Sequence, residues 1–104
     1  MPMETTDLEH YLQSVIAEHL DGDAARFEEL WERVPGFGQT VRDLTRDIGD
    51  VQWRSRTLDG WYCVDTGSGY EVYNQERGIR SGVHTFSTEA VATTYFLRLL
   101  GYLR

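Results

Sequence analysis

The sequence predicts a single α+β domain with N-terminal helices, a four-stranded antiparallel meander and a long C-terminal helix packed on the sheet. Two changes in hydrophobic periodicity support this order. The helical period becomes a period of two near Val51, and helical spacing returns after Phe86. A chain of 104 residues has the size of one domain. We therefore expect one domain over 1–104, with a helical layer in 1–50 and the sheet plus C-terminal helix in 51–104.

The first half of the chain shows the spacing of three short helices. Apolar residues of the first helix form one stripe: Leu8, Tyr11, Leu12, Val15, Ile16 and Leu20. Gly22 is a suitable C-cap, and Asp23 is a suitable N-cap for the next helix. The second stripe comprises Phe27, Leu30, Trp31 and Val34. A third helix would place Val41, Leu44 and Ile48 inward and would end at Gly49.

Side-chain alternation predicts four strands in the second half. The expected ranges are Val51–Leu58, Trp61–Asp65, Tyr70–Gln75 and Ile79–Phe86. Asp59-Gly60 is a strong hairpin signal, and Arg77-Gly78 marks a later turn. Because each connection is too short for a parallel crossover, we expect an antiparallel meander.

The last helix is expected to follow Ser87, which is a suitable N-cap. Its apolar positions form a wide stripe: Val91, Ala92, Tyr95, Phe96, Leu99, Leu100 and Leu103. So wide a stripe predicts that this helix packs across one face of the sheet.

Charge is distributed unevenly between the two halves. Residues 1–50 carry twelve acids and four arginines, residues 51–104 carry five acids and six arginines, and the formal charge of the chain is −7. An acidic surface repels phosphate, so nucleic-acid binding is disfavoured. The same surface can steer a basic protein partner and accelerate encounter. Glu28, Glu29 and Glu32 point away from the second apolar stripe and are candidates for that role.

Several features predict a cytoplasmic protein with no cofactor and no metal. Cys63 is the single cysteine, which excludes an internal disulfide and a cysteine-based zinc site. The acidic N-terminus lacks a signal-peptide pattern, and no apolar run reaches the length of a membrane span. His10 and His19 are nine residues apart on the first helix, so they face opposite sides and cannot share a metal ion.

Three patterns resemble catalytic motifs. Val64-Asp65-Thr66-Gly67-Ser68 resembles the active-site turn of aspartic proteases, but the helical first half departs from that nearly all-β family. A dimeric protease using Asp65 is kept as a minor alternative. Gly67-Ser68-Gly69 lacks the third glycine of a dinucleotide fingerprint, because Val72 occupies that position. Cys63 and His84 have no identifiable third group for nucleophilic catalysis. We therefore assign no catalytic residue and do not expect an enzyme.

The strands combine aromatic and arginine residues, which are the types that carry most binding energy at protein interfaces. Because side chains alternate along a strand, Tyr73 and Arg77 are expected on the same face of the sheet. The candidate anchors for a protein partner are Trp53, Tyr73, Arg77 and Arg80.

Three short segments carry a resemblance to a known family. They are Gly69-Tyr70-Glu71-Val72-Tyr73, the turn Glu76-Arg77-Gly78, and Phe86 leading to Glu89-Ala90. Together they resemble small immunity proteins of bacterial polymorphic toxin systems, over about Trp61 to Leu100. The resemblance implies a non-catalytic α+β domain that neutralises a cognate toxin domain by stoichiometric binding. It leaves open whether the toxin is a nuclease, an NAD-degrading enzyme or another type. A secretion or effector chaperone is the alternative.

Overall fold

A computed structural model describes residues 7–45 and 50–103 and has the predicted α+β class. The elements are α1 (Asp7–Leu20), a 3-10 helix (Ala24–Glu29), α2 (Leu30–Arg33), α3 (Phe37–Leu44), β1 (Val51–Gln52), β2 (Gly60–Asp65), β3 (Tyr70–Glu76), β4 (Ile79–Phe86) and α4 (Glu89–Leu100). We call α1, the 3-10 helix, α2 and α3 the helical layer. The expected continuation of the third helix through Ile48 to Gly49 lies outside the described residues.

The helical layer follows the sequence signals at its turns. Asp21 and Gly22 both have positive φ and end α1, and Asp23 accepts a hydrogen bond through Oδ1 from the Ala25 amide at 3.0 Å. The predicted second helix is divided into a 3-10 helix and the short α2, and Arg26 has non-helical backbone angles within the 3-10 helix. The apolar stripes still point inward, with Leu12, Phe27 and Leu30 among the fully buried side chains.

The four strands form one sheet in the order β1-β2-β3-β4. The pairs β2–β3 and β3–β4 are antiparallel, as predicted. The prediction for the first strand was wrong, because β1 has only two residues and pairs in parallel with β2, with Val51 opposite Trp61. The sheet is therefore mixed, and Asp59-Gly60 is not the turn of an antiparallel hairpin.

Trp53 anchors the chain at the point where the first strand ends. Its indole ring packs edge-on against Phe96, with 5.2 Å between ring centroids, and Nε1–H donates to Thr45 Oγ1 at 2.6 Å. The chain then leaves the sheet through residues 53–59, which we call the covering loop. Since β1 and β2 run in parallel, the covering loop must bring the chain back to the starting end of β1. Because β1 has only two residues, that distance is about 7 Å. At Gly60 a Cβ would lie 2.6 Å from the Asp50 carbonyl oxygen, so the return requires glycine.

The hairpin between β3 and β4 has a two-residue turn and a bulge. Arg77 and Gly78 both have positive φ, at 53° and 81°, which is the type I′ pattern that suits the twist of a hairpin. The register shifts between Val72 and Asn74, opposite Gly82, whose φ is 61°. This β-bulge leaves two residues of β4 facing one residue of β3.

Helix α4 packs on both the sheet and the helical layer. Ala92 and Phe96 join Val51, Cys63 and Val72 in a cluster against the sheet. On a different side of α4, Leu97 belongs to the cluster of the helical layer. The helix starts one residue later than predicted, because Thr88 rather than Ser87 is the N-cap, accepting through Oγ1 from the Val91 amide at 3.3 Å. None of the helices in the described part of the chain has the length and apolar character needed to cross a membrane.

The two faces of α4 yield a stability prediction. Phe96 is fully buried, so Phe96→Ala should lower the free energy of unfolding by about 3–5 kcal/mol. Leu99 was expected to face the core, but its exposed fraction is 43%, so Leu99→Ala should cost less than about 1 kcal/mol. Chemical denaturation of the two variants measures both values. Equal losses would contradict this orientation of the helix.

Candidate protein-binding surface

The outer face of the sheet, opposite α4, is built around two stacked tyrosines. Tyr62 on β2 and Tyr73 on β3 are directly paired across the strands, and their rings are nearly parallel, with centroids 5.0 Å apart. Their exposed fractions are only 0% and 1%. The strand pairing alone does not bury them, because this face has no helix. Another part of the chain must cover it.

The covering loop provides much of that burial. The Tyr62 hydroxyl donates to the Leu58 carbonyl and lies 3.3 Å from the Arg56 carbonyl oxygen. The Gln75 side-chain amide donates to the same two carbonyls, at 3.1 Å and 3.0 Å respectively. Burial raises the pKa of the Tyr62 hydroxyl, which therefore stays protonated as a donor. These hydrogen bonds hold the loop against the outer face. They also satisfy the backbone carbonyls of Arg56 and Leu58, which lie outside the sheet.

Arg80 covers the other side of Tyr73. Its Cζ lies 4.5 Å from the centroid of the Tyr73 ring, so a tyrosine–tyrosine–guanidinium stack crosses three strands. Arg80 Nη1 also lies 3.5 Å from Glu71 Oε1. The side chain of Arg80 keeps an exposed fraction of 45%. The guanidinium is thus held in place by a ring and a carboxylate while it remains accessible to solvent.

Arg77 lies in the exposed turn beside the covering loop. Its backbone amide donates to Asp59 Oδ1 at 2.8 Å, which ties the loop to the β3–β4 turn. No ion pair of its guanidinium occurs among residues 7–45 and 50–103. The two predicted arginine anchors, Arg77 and Arg80, are both exposed, but Arg77 lines a groove with Glu76, Ile79 and Ser81 on the face opposite Arg80.

The two predicted aromatic anchors are placed differently. Tyr73 is enclosed between Tyr62 and Arg80, and Trp53 packs on Phe96 with its indole nitrogen bonded to Thr45. Tyr73 has no ring surface left for a partner in this arrangement, and Trp53 is committed to core contacts. Their prediction as direct contacts is corrected accordingly: both support the fold around the surface. Sequence alternation did not reveal this, because the covering loop comes from outside the local strand pair.

The predicted acidic residues lie in the helical layer. Glu29 is bound by Arg26 and Arg33, with nitrogen–oxygen distances of 2.9 Å and 3.0 Å, and hydrogen bonds from these guanidinium groups lower the pKa of its carboxyl from 4.5 to about 2. Glu28 and Glu32 are exposed and make no ion pair within the described ranges. The spacing of Arg26 and Arg33 around Glu29 signals this pairing in the sequence. Two of the three carboxylates thus remain available for long-range steering.

The motifs that resemble catalytic sites adopt turn and core geometries. Asp65 is exposed, and its Oδ1 accepts from the Gly67 amide at 2.8 Å in a local turn. Cys63 and His84 are separated by Val72 of the intervening strand, which places them about 10 Å apart across the sheet. Burial raises the pKa of the Cys63 thiol to about 12, so the thiolate needed by a nucleophile is disfavoured.

A small cavity of about 200 Å³ lies where α3 and α4 meet the sheet. Its wall includes the ion pair of Arg42 with Glu89, together with Cys63, Asp65 and Tyr70. Among the residues that the structure describes, no group of three histidine, cysteine, aspartate or glutamate side chains is arranged to hold a metal ion. The ion pair links the helical layer to the first turn of α4, which is a structural role.

Comparisons with protein-family models, with curated proteins and with solved structures give no match. The surface must therefore be judged on its own residues. The exposed residues that border the buried tyrosine stack are Arg80, Leu58, whose carbonyl accepts from the Tyr62 hydroxyl, and Val83 in the β-bulge opposite Tyr73. Leu58 and Val83 were not among the predicted contacts, since only the covering loop and the strand register bring them there.

The turn at Arg77 allows its backbone and side-chain roles to be separated. At a φ of 53°, Arg77→Gly removes the guanidinium without straining the turn, whereas Arg77→Val places a β-branched side chain in a disfavoured region. The valine variant should be less stable than the glycine variant by about 1–2 kcal/mol. Denaturant unfolding of the pair measures the difference. If the two variants were equally stable, the left-handed backbone at this position would be refuted.

The ion pairs of Glu29 predict a pH dependence. Its pKa is lowered in the folded chain, so its contribution to stability is present above about pH 4.5 and is lost as the pH falls towards 2. The gap in melting temperature between the wild type and Glu29→Gln should therefore close over this range. Thermal unfolding at a series of pH values measures the gap. A gap that stayed constant down to pH 2 would contradict the ion pairs.

Proposed function

We propose that this protein is an immunity protein that binds the toxin domain of a bacterial polymorphic toxin and neutralises it by covering its active site or substrate cleft. The carrying observation is that all three segments resembling immunity proteins belong to one continuous substructure. They form β3, the Arg77-Gly78 turn, and the passage from β4 into α4. The resemblance thus coincides with a folded unit that presents Arg77 and Arg80 to solvent.

The charge distribution supports stoichiometric binding. Glu28 and Glu32 are exposed on the helical layer and make no ion pair among the described residues, so their negative charge would steer a basic surface of the toxin. Arg80 is ordered before binding by Tyr73 and Glu71, so less conformational entropy would be lost at an interface. We expect this action in the cytoplasm, where a cytoplasm-acting toxin would meet its inhibitor.

A secretion or effector chaperone is the second candidate, since it would also be small, acidic and non-catalytic. The two proposals differ in where the client is bound: an immunity protein occludes the toxic site, whereas a chaperone leaves it free. The aspartic protease alternative receives less support, because Asp65 is engaged by the Gly67 amide and lies in a hairpin turn of an α+β fold.

The deciding experiment is co-expression with an isolated toxin domain encoded beside this protein. The immunity proposal predicts that the cells survive and that the two proteins purify as a one-to-one complex. If a complex forms but the toxin still kills the cells, the chaperone is favoured. If no neighbouring toxin domain is neutralised, the proposal fails.

Two sets of variants should affect different rate constants of this complex. Glu28→Lys with Glu32→Lys should slow association and weaken its salt dependence, because both side chains are exposed and neither is paired with a residue that the structure describes. Arg80→Gln should mainly accelerate dissociation, because it removes an ordered contact. Surface plasmon resonance at several salt concentrations separates the two rates. An unchanged association rate after the charge reversal would refute steering by the helical layer.

A further inference from the structure

The small cavity between α3, α4 and the sheet has the size of an anchor pocket for one side chain. Its volume is about 200 Å³, whereas pockets for drug-sized ligands and cofactors have volumes of about 300–1,000 Å³. A water molecule occupies about 30 Å³ in the liquid, so the cavity corresponds to roughly six waters. One side chain of another protein fits that space. A side chain seated in a pocket of this kind is a common form of binding hot spot.

The rim of this cavity carries one carboxylate that the fold does not neutralise. The charged residues in its lining are Arg42, Asp65 and Glu89. Glu89 Oε2 accepts from Arg42 Nη1, so these two charges compensate each other. Asp65 Oδ1 accepts the Gly67 amide at 2.8 Å, and Asp65 makes no ion pair within the described ranges. Two carboxylates and one guanidinium leave one negative charge, which favours a cationic occupant.

The Tyr70 hydroxyl faces the same space as both carboxylates. Burial raises the pKa of this hydroxyl, and the charges of Glu89 and Asp65 raise it further, which places the three groups close together. In the part of the chain that the structure describes, the Tyr70 hydroxyl makes no hydrogen bond. Its oxygen can accept an N–H bond, and its ring offers a π face. The cavity therefore combines acceptors with an aromatic surface.

The rest of the lining is rigid. Trp53 forms another wall, and its ring is fixed by Phe96 and Thr45, so it reaches the cavity from inside the domain and not from the outer face of the sheet. Cys63 and Thr93 are almost completely buried and also line the cavity. Aromatic walls beside carboxylates are typical of sites for organic cations. Because these walls are already ordered, little conformational entropy would be lost on binding.

We propose that this cavity receives one arginine side chain of the partner protein, with Asp65 as its principal ion-pair partner. The partner is the toxin domain of the proposed function, so the inference rests on that proposal for the identity of the partner. A guanidinium has five N–H donors in one plane, which suits separate acceptors such as Asp65 Oδ2, Glu89 Oε1 and the Tyr70 hydroxyl. It also stacks on aromatic rings and is less strongly hydrated than the ammonium of lysine.

A neighbouring cavity determines the side from which the arginine enters. This second cavity has a volume of about 500 Å³ and shares Arg42 and Trp53 with the first, but it also contains Arg54 and Arg56. Its positive charge repels another guanidinium. Entry is therefore favoured from the opposite side, past Asp65. The partner would then lie against the exposed turn of residues 66–68.

A titration with single amino-acid derivatives tests the chemistry without the toxin. The isotopically labelled protein is titrated with Nα-acetylarginine amide and followed by nuclear magnetic resonance. The matched compounds are the citrulline derivative, which has nearly the same shape without the charge, and the lysine derivative. We expect a Kd of about 1 mM for the arginine compound and binding about tenfold weaker for the citrulline compound. The shifted resonances should belong to Trp53, Cys63, Tyr70 and Thr93.

Several outcomes of this titration would overturn the proposal. Equal shifts with the citrulline compound would show that the charge is not recognised, and tighter binding of the lysine compound would indicate an ammonium site. A micromolar Kd for the arginine compound would identify a site for a free small molecule and not an anchor pocket. Shifts that were absent from the cavity, or centred on the acidic helical layer, would also refute it.

Carboxylate variants with a matched control locate the contact. Asp65→Asn removes the charge, while the asparagine Oδ1 can still accept the Gly67 amide, so the turn is retained. This variant should bind the arginine compound about tenfold more weakly. Asp59→Asn makes the same change where Oδ1 accepts the Arg77 amide, about 20 Å away at the other end of β2, and should change the Kd by less than about twofold. Equal losses in both variants would indicate a general effect of charge and would refute the pocket.

The toxin complex separates this inference from the proposed function. Each surface arginine of a neutralised toxin is replaced by glutamine and combined with Asp65→Asn in a double-mutant cycle. One arginine should lose its effect on affinity once Asp65 is replaced. If the toxin is neutralised but no arginine is coupled to Asp65, the function stands and the pocket is refuted. If no toxin is neutralised but the arginine compound binds as described, the pocket stands and the proposed function fails.

Discussion

The packing of α4 on two sides is the constraint on which the rest of the structure depends. Phe96 faces the sheet, and the next residue, Leu97, faces the helical layer, since successive positions of a helix differ by about 100°. A single helix therefore belongs to both apolar clusters. The ion pair between Arg42 and Glu89 adds a polar link between α3 and the first turn of the same helix. Loss of α4 would leave the sheet and the helical layer without a common core.

Trp53 couples that core to the outer face of the sheet. Its ring lies against Phe96 and its nitrogen donates to Thr45, which anchors the chain directly after β1 ends at Gln52. The residues that follow form the covering loop, whose carbonyls bind Tyr62 and Gln75. The loop that begins at this anchor covers the outer face of the sheet and carries the exposed Leu58.

The molecule presents charge of different sign on its two layers. Glu28 and Glu32 make no ion pair with any residue that the structure describes, while Glu29 is neutralised by Arg26 and Arg33. On the sheet, the exposed guanidinium of Arg80 is held by the ring of Tyr73 and by Glu71. In the complex that we propose, the acidic layer would affect how fast the toxin arrives, and the exposed Arg80 would affect how long it stays.

Local patterns in the sequence determined the class of the fold, the order of its elements and most of its turns. The change of period near Val51, the Asp23 cap and the Arg77-Gly78 turn all act through residues close in the chain, so they were readable without a structure. Tertiary packing decided the parallel pairing of β1, the burial of Tyr73 and the exposure of Leu99. Each of these depends on residues far apart in sequence, such as Trp53 with Phe96 or Gln75 with Arg56. The alternation of side chains along a strand predicts which face of the sheet a residue lies on. Only the packed fold decides what covers that face.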